Sequence, residues 1–166
     1  VNAAEELQEQ VFSKIDRVVL TSATLTTHKG FEFIQERIGF EPQEQSILDS
    51  PFDYSKQALI YISGDLPEPS EEIEKYASAM ARRCGELVEI SQGRTFILFT
   101  SYALMDQVFD RLQYFSGKFS LLKQGEIPTG QMIRRFKETP AVIFGTNSFW
   151  QGVDIPGDVL KSVIIT

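Results

Sequence analysis

The chain has 166 residues, 42% of them apolar and 23% charged, with a formal net charge of −7. That balance excludes a disordered polymer, and no apolar run approaches the roughly 18 residues of a membrane helix, so a soluble, cytoplasmic globular protein is expected. One cysteine, Cys84, excludes an internal disulfide, and with His28 as the one histidine a zinc or iron–sulfur site within these residues is not expected.

In chain order, "AEELQEQVFS" (4–13) predicts a short polar helix, and "DRVVLTSATL" (16–25) a strand. "KGFEFIQERIGF" predicts a helix with Phe31, Ile34 and Ile38 on one face and Gly39 as its stop. Residues 41–57 form a connector rich in Pro, Gln, Ser and Asp. "ALIYIS" (58–63) predicts a strand and "GDLPEPS" a loop. Ser70 starts a long helix reaching about Ile90, with Ile73, Tyr76, Ala77, Met80, Ala81, Cys84, Leu87 and Val88 as its buried stripe. Cys84 then reads as a small core residue.

Beyond "SQGR" the alternation becomes regular. Strands at "TFILFTS", "KFSLLKQ", "AVIFGT" and "LKSVIIT" alternate with helices at "YALMDQVFDRLQYF" and "PTGQMIRRFKET". Apolar strands separated by helices predict an α/β fold, a mostly parallel sheet with helices on both faces. Ligands meet such sheets at the carboxyl ends of the strands, which puts the loops "TSYAL" and "GTNSFWQGVD" on one edge. Charge follows the same division. Residues 1–92 hold 8 Lys and Arg against 17 Asp and Glu, a balance of −9, whereas residues 93–166 hold 8 against 6, a balance of +2. A phosphate-binding surface in the second part is therefore compatible with the acidic total.

Two readings stay open for each loop. In the first, Thr100 and Ser101 either cap the following helix or, with its N–H groups, hold a phosphate. In the second, Gly145 and Gly152 permit close backbone approach, Thr146 and Ser148 offer donors to phosphate oxygens, and Asp154 offers an acceptor to a ribose hydroxyl. Phe149 and Trp150, the single tryptophan, either stack on bases or anchor the turn in the core. Gly125 and Gly130 have phosphate-loop spacing, but Gln131 and Met132 follow where Lys and Ser/Thr are required, so no G-x-x-x-x-G-K-[ST] element is present. The chain alone is not expected to hydrolyse ATP. Arg134, Arg135 and Lys137 read as a solvated helix face, and His28 as a surface or cap residue.

Together these stretches resemble a helicase family. "VVLTSATL" is similar to helicase motif III, "FILFTSY" to motif IV, and "VIFGTNSFWQGVDIPG" to motif V of the DinG/XPD-like branch of superfamily 2 DNA helicases. "DSPFDY" (49–54) resembles the DinG entry into the second motor lobe. The resemblance implies a RecA-like three-layer sandwich: residues 1–28 as the end of a first motor lobe, 29–57 as helix and connector, and 58–166 as the second lobe, stopping before motif VI. The run "SVIIT" is then expected to continue into further chain. It also implies an ATP-dependent 5′–3′ DNA helicase that uses Mg2+ and ATP bound between its two lobes, with an iron–sulfur cluster elsewhere in some members. Single-stranded DNA and the first motor lobe are the implied partners.

Carried over by position, Ser22, Ala23 and Thr24 couple nucleotide state to lobe movement. The resemblance likewise implies that Thr100, Ser101, Gly145, Thr146 and Ser148 line the DNA track, with Trp150 at an aromatic position beside it, and that Gly152 and Asp154 face the nucleotide. Two other classes of protein remain open: a non-catalytic nucleic-acid or protein-binding module with this fold, and the helicase-like part of a DinG-type exonuclease.

Overall fold

The computed structural model describes residues 3–27, 30–68, 73–146, 149 and 153–166. The chain divides into two compact units, residues 1–60 and 61–166.

In the first unit, α1 (Ala4–Gln10) runs into a single 3-10 turn at Phe12–Lys14, and α2 (Glu32–Ile38) packs beside it. Gly39 ends α2 as its pattern predicts. At φ +66° it enters the left-handed region, and its N–H returns to the Gln35 carbonyl at 2.8 Å. The Ala3 N–H donates to the Arg37 carbonyl at 3.0 Å, and the Phe12 and Phe40 rings meet at 4.8 Å. A short α3 (Tyr54–Gln57) interrupts the connector.

The strand expected at 16–25 is not formed. Residues 17–22 belong to no helix or sheet, and Val19 is 89% exposed. A strand exists only as half of a ladder, and the described residues of this unit offer a single antiparallel bridge, Thr27 with Gly30. "ALIYIS" fails as a strand for the same reason: residues 58–63 pair with no described strand, and Leu59 is 94% exposed.

The second unit is a layered α/β structure. It is built from α4 (Ile73–Ile90), β1 (Thr95–Leu98), α5 (Tyr102–Arg111), β2 (Ser120–Lys123), α6 (Thr129–Glu138), β3 (Ala141–Gly145) and β4 (Ser162–Ile165). All strand pairs are parallel, in the order β2-β3-β1-β4. Every residue of β1 and β3 is buried, as expected of central strands covered on both faces. Side chains alternate between two cores. Ile97, Phe99, Val142 and Phe144 face α4 and α5, meeting Met80, Cys84, Val88, Met105 and Val108. Phe96, Leu98, Ala141 and Ile143 face α6, meeting Met132 and Phe136. Helix, sheet and helix therefore form three layers, the RecA-like arrangement.

The stripe predicted on α4 is buried at Ala77, Met80, Ala81, Cys84 and Val88, while Ile73 at its start is exposed. The helix start predicted at Ser70 lies outside the described residues. From within α4, the Arg83 guanidinium holds Glu86 at 2.5 Å and, in the segment before the helix, Asp65 at 2.6 Å, where Leu66 packs against the core on the α4/α5 side. Among the described residues no helix is long and apolar enough to cross a membrane.

Candidate nucleic-acid interface

The parallel register decides which loops meet. Leu98 of β1 stands beside Gly145 of β3, and the Phe99 N–H donates to the Gly145 carbonyl at 2.8 Å. The loop entered at Thr100 and the loop entered at Thr146 therefore leave one edge side by side. On the far side of β1, the Thr166 N–H donates to the Leu98 carbonyl at 3.1 Å, so the end of β4 borders the same edge.

Ser101 sits before α5 in an extended conformation, and its Oγ accepts from the Leu104 N–H at 3.2 Å. The capping reading of this hydroxyl is the observed one. Thr100 beside it is exposed. A cleft of about 330 Å³ opens here, lined by Thr100, Ser101, Leu104, Gln107, Tyr76 and Thr166 among others.

The β3 loop leaves Gly145 under close contact. A methyl group on its Cα would sit 2.7 Å from the Phe149 ring, so glycine is required for that ring to fold back beneath the strand end. Phe149 is 3% exposed and packs edge-on to Phe96 at 6.2 Å. Of the two readings left open for Phe149, the core anchor is the observed one, because the α6-side core is open to the ring at this strand end. Thr146 is buried as well. Its N–H and its hydroxyl both donate to the Gln124 Oε1, at 2.6 and 3.1 Å. Farther along, Asp154 is exposed between Val153 and Ile155, which pack against the core. Ser148, Trp150 and Gly152 lie outside the described residues, as does His28.

Pattern reading missed Gln124. It directly follows β2, so the rule that ligands meet strand ends would have found it had it been applied to the third parallel strand. Its side-chain Nε2 donates to the Tyr102 hydroxyl at 3.0 Å, joining the ends of β2 and β3 to the start of α5.

Positive charge at this edge is largely compensated. Lys123, the last residue of β2, reaches Asp106 at 3.2 Å and Glu126 at 3.7 Å and lies over the Phe109 ring. Burial works against its ammonium, but Asp106, Glu126 and Asp110 outweigh it and hold the group above the ordinary lysine range. The segment from Gly145 to Asp154 contains no lysine or arginine. The edge thus offers hydroxyls, amides and aromatic surface rather than free cations. Ser22 and Thr24, in the first unit, make a local turn in which the Thr24 N–H donates to the Ser22 Oγ at 3.2 Å, with Ala23 between them and all three exposed.

Residues 84–166, the whole of this layered core from mid-α4 onward, match the Helicase C-terminal domain family. The chain belongs to that family. Within this helicase C-terminal domain, the motif IV-like and motif V-like stretches are the two loops that share the edge. The likeness extends beyond the matched residues. The "ATP-dependent DNA helicase YoaA" of Escherichia coli is 35% identical over 99% of this chain. The "ATP-dependent DNA helicase DinG" of Photobacterium profundum is 31% identical over 96%, and the "3'-5' exonuclease DinG" of Bacillus subtilis 34% identical over 97%. The DinG-like resemblance drawn from the motifs is therefore borne out. The chain spans only 26%, 24% and 18% of those three relatives, respectively.

Proposed function

We propose that this chain is the C-terminal motor segment of a cytoplasmic, DinG-type, ATP-dependent 5′–3′ DNA helicase. Its strand-end edge grips single-stranded DNA. The observation that carries the reading is the in-register meeting of β1 and β3, which sets Thr100, Ser101, Gly145 and Thr146 on one edge of a helicase C-terminal domain. Ser148 and Trp150 belong to the same loop by sequence and complete the proposed DNA track. Residues 1–28 are read as the end of the first motor lobe, with Ser22, Ala23 and Thr24 as its coupling element, and 29–57 as the connector to the second lobe, 58–166.

The nucleotide would be shared with the first lobe. The exposed carboxylate of Asp154 fits a ribose hydroxyl, and Gly152 before it allows close backbone approach. The nucleotide's magnesium would be shared in the same way, held largely by phosphate oxygens and water with one or two carboxylates. ATP with its magnesium supplies the phosphoryl transfer that drives translocation. This domain's part is to hold the strand and to move as one rigid layer structure when the cleft closes. Any iron–sulfur cluster would lie outside these residues.

A second reading has its own support, since one relative is named an exonuclease. There the same domain would serve a nuclease, and DNA binding by the edge would be shared by both readings.

The test is a titration of the chain with oligo-dT and with a matched duplex, followed by Trp150 fluorescence. Quenching by the single strand over the duplex is expected. Because residues 145–154 carry no lysine or arginine and Lys123 beside them is paired, the salt dependence should be shallow, with a log–log slope smaller in magnitude than about 2. A steep slope would move the strand onto the Lys/Arg faces, and preference for duplex would contradict the single-strand reading.

A further inference from the structure

Thr146 is 5% exposed and both of its donors are engaged by Gln124, so it presents little of itself to a ligand. The exposed end of this network is Tyr102, at 57%. The backbone N–H of Thr146 can only donate, which fixes the Gln124 amide with its oxygen toward Thr146 and its nitrogen toward Tyr102. The backbone of Gln124 is itself held, its N–H donating to the Phe144 carbonyl at 2.9 Å. Having accepted from Gln124, the Tyr102 hydroxyl keeps its own hydrogen to donate, for instance to a phosphate oxygen. The half-exposed ring offers a face for a base. Tyrosine orders at low entropic cost, having few rotatable bonds.

We propose that Tyr102 is a strand-contacting residue of this edge, and that Gln124, itself fixed by Thr146, is the residue that positions it. The inference rests on the single-strand reading above and names residues to which that reading gave no part. Thr146 then acts on the strand through Gln124 rather than by reaching phosphate.

The experiment measures binding of fluorescently labelled oligo-dT by anisotropy, with thermal unfolding of each protein in parallel. The whole chain is compared with Tyr102→Phe, Gln124→Met and the double variant. Tyr102→Phe removes one exposed hydroxyl, so its melting temperature should match the wild type while its affinity falls about tenfold, the scale of a hydrogen bond to a charged group. Gln124→Met should weaken binding as well, and the double variant should bind no more weakly than the weaker single one. Wild-type affinity in Tyr102→Phe would overturn the contact, and fully additive losses would overturn the positioning.

If the wild type itself binds no oligo-dT, the single-strand reading fails and the contact with it. The positioning is then decided without DNA, from the Gln124 side-chain amide signals in a nitrogen-15 NMR spectrum. They must shift in both Tyr102→Phe and Thr146→Val. Signals that stay in place in either variant overturn it.

Discussion

Single residues at the strand ends show which alternatives the sequence left open and what closed them. The adjacent pair Phe149-Trp150 could not be divided by pattern, because an aromatic on a loop is equally suited to a base and to a core. Phe149 is settled by the space beneath Gly145, a property of α6 and β1 lying far away in sequence. Replacing Phe149 by alanine should therefore cost about 3–5 kcal/mol of stability, as for other buried aromatics. Gly145→Ala should also destabilise, since its methyl group would press on the same ring. Denaturant unfolding of both variants checks this, and wild-type stability in Phe149→Ala would remove the ring from the core.

Cys84 was legible as a core residue, and its burial has a pH consequence. Desolvation pushes its thiol from an ordinary 9.0 up to about 12. The folded pKa is the raised one, so the stabilising contribution is complete below about pH 9 and is lost as pH climbs toward about 12. Over that window the stability advantage of the wild type over Cys84→Ala should narrow, as read by urea unfolding at about pH 8 and about pH 10.5. An advantage that stays constant would mean that the thiolate forms as readily in the folded protein as in the unfolded one.

At the scale of elements, periodicity located α4, α5, α6 and all four strands of the sheet, because each carries an apolar pattern bounded by turn residues and each has a layer to face. The same logic misread residues 16–25 and 58–63. Their composition suits a strand, but pairing is a property of the neighbour, and no described strand lies beside either segment. Hydrogen exchange should separate the two kinds of apolar run. Amides at 17–22 and 58–63 should exchange without protection, while those of Phe96–Leu98 and Val142–Phe144, bonded on both sides within the sheet, should exchange only on unfolding. Strong protection at 58–63 would show that the segment has found a ladder after all.

On the scale of the whole molecule, the fold class and the shared edge of β1 and β3 were readable from chain order alone, since parallel strands alternating with helices send their carboxyl ends to one side. The chemistry of that edge was only half readable. Hydroxyls at Thr100, Ser101 and Thr146 are visible as letters, but which of them faces solvent depends on contacts with Leu104 and Gln124. Charge behaved likewise. The second part of the sequence is mildly basic, yet Lys123 at the edge is bound to Asp106 and Glu126, so the excess does not reach the loops as free cations. On the proposed single-strand reading, any grip at this edge would rest on hydroxyls, amides and aromatic surface rather than on free cations.

In the proposed function this edge, and no other face of the domain, meets single-stranded DNA. Amide chemical-shift mapping of the nitrogen-15-labelled chain against oligo-dT tests it most directly. Shifts are expected to concentrate at residues 100–104, 124–125 and 145–154, with α6 and the amino-terminal ends of the strands unmoved. Shifts centred on Arg134, Arg135 and Lys137, or on Arg94 and Lys161, would contradict it and place the strand on a basic face instead.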